Sequence, residues 1–121
     1  MTSNSGISST VIFHIRSLDS ALDNFSATWA DAVPQTPRIS FASAELMFKT
    51  LGGRRLELLQ VMGGKGELGV RELARLADRD VRAVHADAQL LALAGVIDRS
   101  EDGKLSFPYL TIHVDFQLQV A

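Results

Sequence analysis

"VRELARLADRDVRAVHADAQLLALAGVIDRSEDGKLSF", running from Val70 to Phe107, holds two amphipathic runs, a polar break between them and an Asp-Gly turn. Val70, Leu73, Ala74 and Ala77 recur at i, i+3, i+4 and i+7, which places them on one face of a helix. Arg71, Glu72 and Arg75 fall off that face. "ADRD" forms a polar turn, and Asp80 stands where it can cap a second helix. The second helix has an inner stripe of Val81, Val84, Ala88 and Leu91, and an outer one of Arg82, His85, Ala86 and Gln89. Gly95 closes it. "VIDRSEDGKLSF" then reads as two short strands around Asp102-Gly103, a dipeptide that favours a tight hairpin.

Working back toward the N-terminus, "GGKG" at Gly63 to Gly66 ends a helix marked by Leu56, Leu58, Leu59 and Met62. Gly52-Gly53 separates it from an earlier helix, which Ser43 caps and whose first turn carries Glu45. "RISF" reads as a short strand. "VPQTP" is the best internal boundary, because Pro34 and Pro37 break helical structure. Before it, Leu18, Leu22, Phe25 and Trp29 share a helical face, and "VIFHI" alternates as a strand does. Beyond Pro108 the alternation predicts a long strand. Leu110, Ile112, Val114, Phe116, Leu118 and Val120 lie on one side, and Thr111, His113, Asp115, Gln117 and Gln119 on the other.

The 121 residues allow one domain, with 46% hydrophobic residues for a core. No apolar run reaches the roughly 18 residues that span a bilayer. "MTSNSGISST" lacks the basic and apolar regions of a secretion signal, so a cytoplasmic location is expected. The absence of cysteine excludes disulfides and thiolate chemistry. Net charge is −2, and from Gly52 to Lys104 nine basic residues face nine acidic ones. Any contact with nucleic acid must therefore come from the placement of charge.

That placement is the point of the opening stretch. Two helices joined by a tight turn can set the second across a major groove about 12 Å wide. Arg82 matches guanine O6 and N7, and Gln89 matches adenine N6 and N7, with His85 beside them. Arg71, Arg75 and Arg79 stand where phosphates lie, and Arg99 and Lys104 flank the hairpin. The same arginines, interleaved with Glu72, Asp78 and Asp80, also read as a solvated surface. Asp87 is expected to pair with Arg71 or Arg75 of the preceding helix. Arg54-Arg55 reads either as a phosphate clamp or as solvated charge. His14 and His113 meet only if the terminal strands pair, and no third ligand is spaced to complete a zinc site. No catalytic motif is present, so neither enzymatic activity nor a cofactor is expected.

The segments "RELA", "DVRAVHAD" and "LALAGVI", with "FASAELMFKTLGGRRLELL" before them and "PYLTIHVDF" after, resemble prokaryotic winged helix-turn-helix DNA-binding regulators. The nearest likeness is to the small MarR-like regulators, over roughly Ile39 to Phe116. The resemblance implies a transcriptional repressor that regulates its own operon. It also implies a second role, an antitoxin that neutralises a toxin protein. Three positions depart from the group. Ala86 stands where relatives often carry arginine, Gly52-Gly53 replaces Thr-Pro, and Gly69 replaces a capping Ser or Thr.

The expected architecture is α+β. Residues 38–108 would form the winged helix-turn-helix domain. Residues 1–37 would add a strand–helix extension and 109–121 a C-terminal strand. Neither end can bury its apolar side alone, so both are expected to pack within the subunit or to form a homodimer.

Overall fold

The apolar alternation in "VIFHI" builds the centre of the molecule. In a computed structural model that describes residues 9–16, 36–118 and 120, β1 (Thr10–Ile15) buries Val11 and Phe13 completely. Strand β2 (Arg38–Phe41) pairs parallel to β1 on one side, with Ile15 opposite Phe41. On the other side β5 (Thr111–Asp115) also pairs parallel, with Val11 opposite Ile112 and Phe13 opposite Val114. The order is β2-β1-β5, so the strands near the two ends join within one chain. The predicted helix bearing Leu18, Leu22, Phe25 and Trp29 lies outside the described residues.

Four helices are described between β2 and β5. The Ser43 side chain accepts from the Leu46 backbone N–H at 3.1 Å and starts α1 (Ala44–Leu51), with Glu45 in its first turn. Gly52 and Gly53 turn the chain into α2 (Arg55–Met62), Gly53 taking a positive φ of 61°. Gly63 ends α2 where Tyr109 crosses: an added Cβ would sit 2.9 Å from the Tyr109 carbonyl oxygen, so only glycine fits. Then come α3 (Val70–Ala77) and α4 (Val81–Leu93). Gly69, at the N-cap of α3, supplies no side-chain cap.

Gly95, with φ 80°, closes α4 as the sequence predicts. Its N–H donates to Ala92 O and that of Val96 to Leu91 O, the paired bonds of a left-handed helix end. The hairpin follows, β3 (Asp98–Arg99) antiparallel to β4 (Leu105–Ser106). Leu68 extends it on the far side. The backbones of Leu68 and Leu105 exchange two hydrogen bonds of 2.8 Å, tying the hairpin to the approach to α3.

One continuous core joins these parts. Val11, Phe13 and Phe41 from the sheet meet Leu58, Leu59 and Met62 from α2, Leu73 from α3, Val84 and Leu91 from α4, and Leu105 from the hairpin. Phe13 and Phe41 pack edge to face with centroids 5.6 Å apart. The architecture is α+β. The last strand is shorter than its alternation predicts: β5 stops at Asp115, and Leu110, Leu118 and Val120 are exposed. Alternation marks which residues share a side, but a strand continues only while a neighbour is there to pair, and β1 offers only six residues. No helix among the described residues is long and apolar enough to cross a membrane.

Candidate nucleic-acid interface

The turn between α3 and α4 is three residues long and is fixed by its own backbone. Asp78 adopts the left-handed conformation, φ 56° and ψ 50°, which aspartate tolerates better than most side chains. The Arg79 N–H then donates to Ala74 O at 3.0 Å. Asp80 caps α4, its Oδ2 accepting from the N–H groups of Arg82 at 3.0 Å and Ala83 at 3.3 Å. Buried Ala74 on α3 leaves room for α4 to lie close, with Val84 and Ala88 against the core.

This geometry holds Arg82, His85 and Gln89 exposed, on the side of α4 away from Val84, Ala88 and Leu91. Ala86 is exposed among them. Beyond Gln89 the outward surface becomes apolar, with Leu90 39% and Leu93 84% exposed. The polar stripe therefore occupies the first turns of the helix. Arg71 and Arg75 are exposed on α3, and Arg75 keeps a loose 3.9 Å pair with Glu72. Such a pair in open solvent contributes little and leaves the guanidinium available.

Arg99 and Lys104 are exposed on the hairpin. The Ser100 backbone N–H donates to Lys104 O at 2.8 Å and the Lys104 N–H to the Ser100 hydroxyl oxygen at 3.0 Å, which fixes the tip. The same hydroxyl donates to Asp102 and holds its carboxyl below the usual carboxylate range.

Arg79 corrects the expectation drawn from sequence. Its side chain is only 11% exposed, and its Nη2 donates to Asp87 Oδ2 at 2.9 Å. Arg55 takes the other oxygen, Nη1 to Oδ1 at 3.2 Å, and also donates to Thr50 O at 2.6 Å and Lys49 O at 2.7 Å. Asp87 thus pairs with Arg55 and Arg79, not with Arg71 or Arg75. Arg79 is drawn inward because Asp87 lies on the flank of the buried stripe, where an unpaired carboxylate would be costly. Of the Arg54-Arg55 pair, Arg55 is taken up by this seam, whereas Arg54 stays in solvent with only an exposed pair to Glu57 at 3.0 Å, as solvated charge would. The seam of two guanidiniums on one carboxylate was missed from sequence. One signal was available: on a helical wheel Asp87 falls beside Val84, Ala88 and Leu91, so it needs a partner.

The pairing of β1 with β5 brings His14 and His113 to one sheet face on neighbouring strands. No group of three or more His, Cys, Asp or Glu is placed to hold a metal ion among the described residues. Burial lowers the His14 imidazole from its ordinary value, helped by Arg38 and Arg16 and opposed by Asp115.

The family model HVO_A0114 matches residues 50–114, slightly more than half of the chain. The chain belongs to the HVO_A0114 family. No curated protein and no solved structure matches it. The span shared with HVO_A0114 begins at the end of α1 and finishes in β5. It includes the Arg55–Asp87–Arg79 seam, the exposed stripe of α4 and the hairpin.

Proposed function

We propose that this chain is a winged helix-turn-helix DNA-binding regulator of the MarR-like kind, a repressor acting on its own promoter. The observation that carries the reading is the exposed Arg82–His85–Gln89 stripe on the first turns of α4, a helix held across α3 by a capped three-residue turn. Recognition helices contact base edges through their N-terminal residues. Arg82, His85 and Gln89 face the bases, Arg71 and Arg75 the phosphates, and Arg99 and Lys104 on the hairpin the neighbouring backbone or minor groove. Arg79 acts indirectly, by holding α4 in place. The regulator works as a homodimer, whose two α4 helices meet half-sites about 34 Å apart.

Fluorescence anisotropy with a duplex from upstream of the chain's own coding region tests this. Affinity is expected to fall as salt rises, with a log–log slope of about −0.9 per phosphate contacted. Arg82→Ala is expected to weaken specific binding by about 1–3 kcal/mol. Unchanged affinity in that variant removes Arg82 from the reading role.

The exposed Leu90 and Leu93 favour a second reading, a protein-interaction module such as an antitoxin that docks a toxin on α4. Co-purification of one stoichiometric protein partner, lost in Leu93→Asp, with no duplex binding at low salt, selects it over the first.

A further inference from the structure

The sheet ends differently on its two sides. The β2 side carries Arg38, whose charge discourages further strand pairing. The β5 side carries no Lys, Arg or Pro from Thr111 to Asp115, and β5 is the last strand in the order. The Thr111 N–H donates to Ser9 O at 2.9 Å, toward β1. By alternation His113 and Asp115 also turn their backbone groups to β1, and Ile112 and Val114 turn theirs to the outer edge, which no strand among the described residues pairs. Val114 lies in register with fully buried Phe13 and yet is 49% exposed. Beside it a cleft of about 540 Å³ opens between α2 and β5, lined by Leu56, Gln60, Leu110 and Val114 among others.

We propose that this edge is a two-fold interface with a second copy of the chain, the two β5 strands pairing antiparallel with Val114 on the axis. The sequence is complementary to itself about that residue. Reading outward from Val114, His113 is matched by Asp115, Ile112 by Phe116, Thr111 by Gln117 and Leu110 by Leu118. Antiparallel pairing about Val114 sets each residue opposite its match on the partner. An imidazole N–H then faces a carboxylate on one side of the sheet, twice. Ile112, Val114 and Phe116 form an apolar row on the side of the cleft. Moving the axis to His113 would set two imidazoles against each other and leave Asp115 facing Thr111, so charge favours Val114. The backbone agrees, because the outward N–H and C=O of Val114 can bond those of the partner's Val114. The two three-stranded sheets become one of six strands, closed by the two-fold axis. This interface specifies the dimer that the proposed regulator uses, and it is tested without DNA.

Sedimentation equilibrium of the full chain is expected to give twice the 13.1 kDa mass of one chain. Val114→Lys places two ammonium groups on the axis and is expected to give a monomer that still melts cooperatively. His113→Asp sets two carboxylates face to face and is expected to raise the dimer dissociation constant about tenfold. His113→Asp with Asp115→His restores the match and returns it to within about threefold of the original. If Val114→Lys does not fold, the His113 pair of variants carries the test. The chain has no cysteine, so Val114→Cys reports the register directly. Mild oxidation is expected to link it across the axis and to leave His113→Cys unlinked, since the latter's Cα atoms stand beyond the roughly 7 Å a disulfide can bridge. A monomeric wild type, a dimer indifferent to Val114→Lys or to the charge reversal, or equal cross-linking at both positions overturns the inference.

Discussion

Helix α4 has two flanks that use the same chemistry in opposite ways. On one, Asp87 is gripped by Arg55 and Arg79, with side-chain exposures of 15%, 18% and 11%. On the other, Arg82 stands in water beside His85 and Gln89. In the seam, Arg55 holds two backbone carbonyls and a carboxylate at once, and Arg79 is kept from an outside partner by burial, its Nη1 enclosed. A guanidinium on the open flank has all of its donors free of protein acceptors among the described contacts. Burial therefore sorts the arginines of this chain into those that set the attitude of α4 and those that a partner can meet. The difference matters more than their nearness in sequence, for Arg79 and Arg82 are three residues apart.

The two flanks differ most in their response to substitution at Asp87. Asp87→Ala leaves two nearly buried cations without a counter-charge and is expected to cost about 3 kcal/mol, read from the urea unfolding midpoint. A loss under about 1 kcal/mol, the range of an exposed pair, would erase the distinction between the flanks. On the open side, Arg82→Ala is expected to shift the unfolding free energy by no more than about 0.5 kcal/mol while weakening DNA binding. If it unfolds the protein as readily as Asp87→Ala does, Arg82 belongs to the seam. Asp80→Ala lies between the two, removing a cap that takes two backbone N–H groups at the start of α4, and is expected to cost about 1 kcal/mol in thermal or urea melts.

The smallest effect is away from α4, at His14. Burial and the nearby Arg38 and Arg16 depress its affinity for a proton in the folded state. Below about pH 6.5 the unfolded chain takes up that proton first. Stability therefore declines from there until the folded-state value is passed and then levels off, and above that range His14 adds no slope. His14→Gln is expected to show a smaller drop in melting temperature between pH 7.5 and 5.5 than the unaltered chain. An identical drop would assign the acid sensitivity to other groups.

What could be read from sequence is short-ranged. The caps at Ser43 and Asp80 stand where spacing predicts them, because a cap bonds an N–H two or three residues away. Asp102-Gly103 turns the hairpin, and Gly103 takes a φ of 84° that glycine reaches freely. The inner stripe of α4 was legible at Val84, Ala88 and Leu91, which are buried. Val81 shares that stripe by spacing but is 38% exposed, since the first turn of a helix projects past the core it packs on.

Local sequence sets where the four described helices start and stop, most of the apolar positions they bury, and which polar groups stand on the outer face of α4. All of these follow from hydrogen bonds and side-chain spacings within about one or two helical turns. Long-range packing assigns Asp87 to Arg55, 32 residues away, turns Arg79 inward, and lays β5 parallel to β1 with its end at Asp115. Those outcomes depend on which distant surfaces meet. An arginine has the same spacing and charge whether it ends in water or in a seam, and a carboxylate leaving solvent is what draws it in.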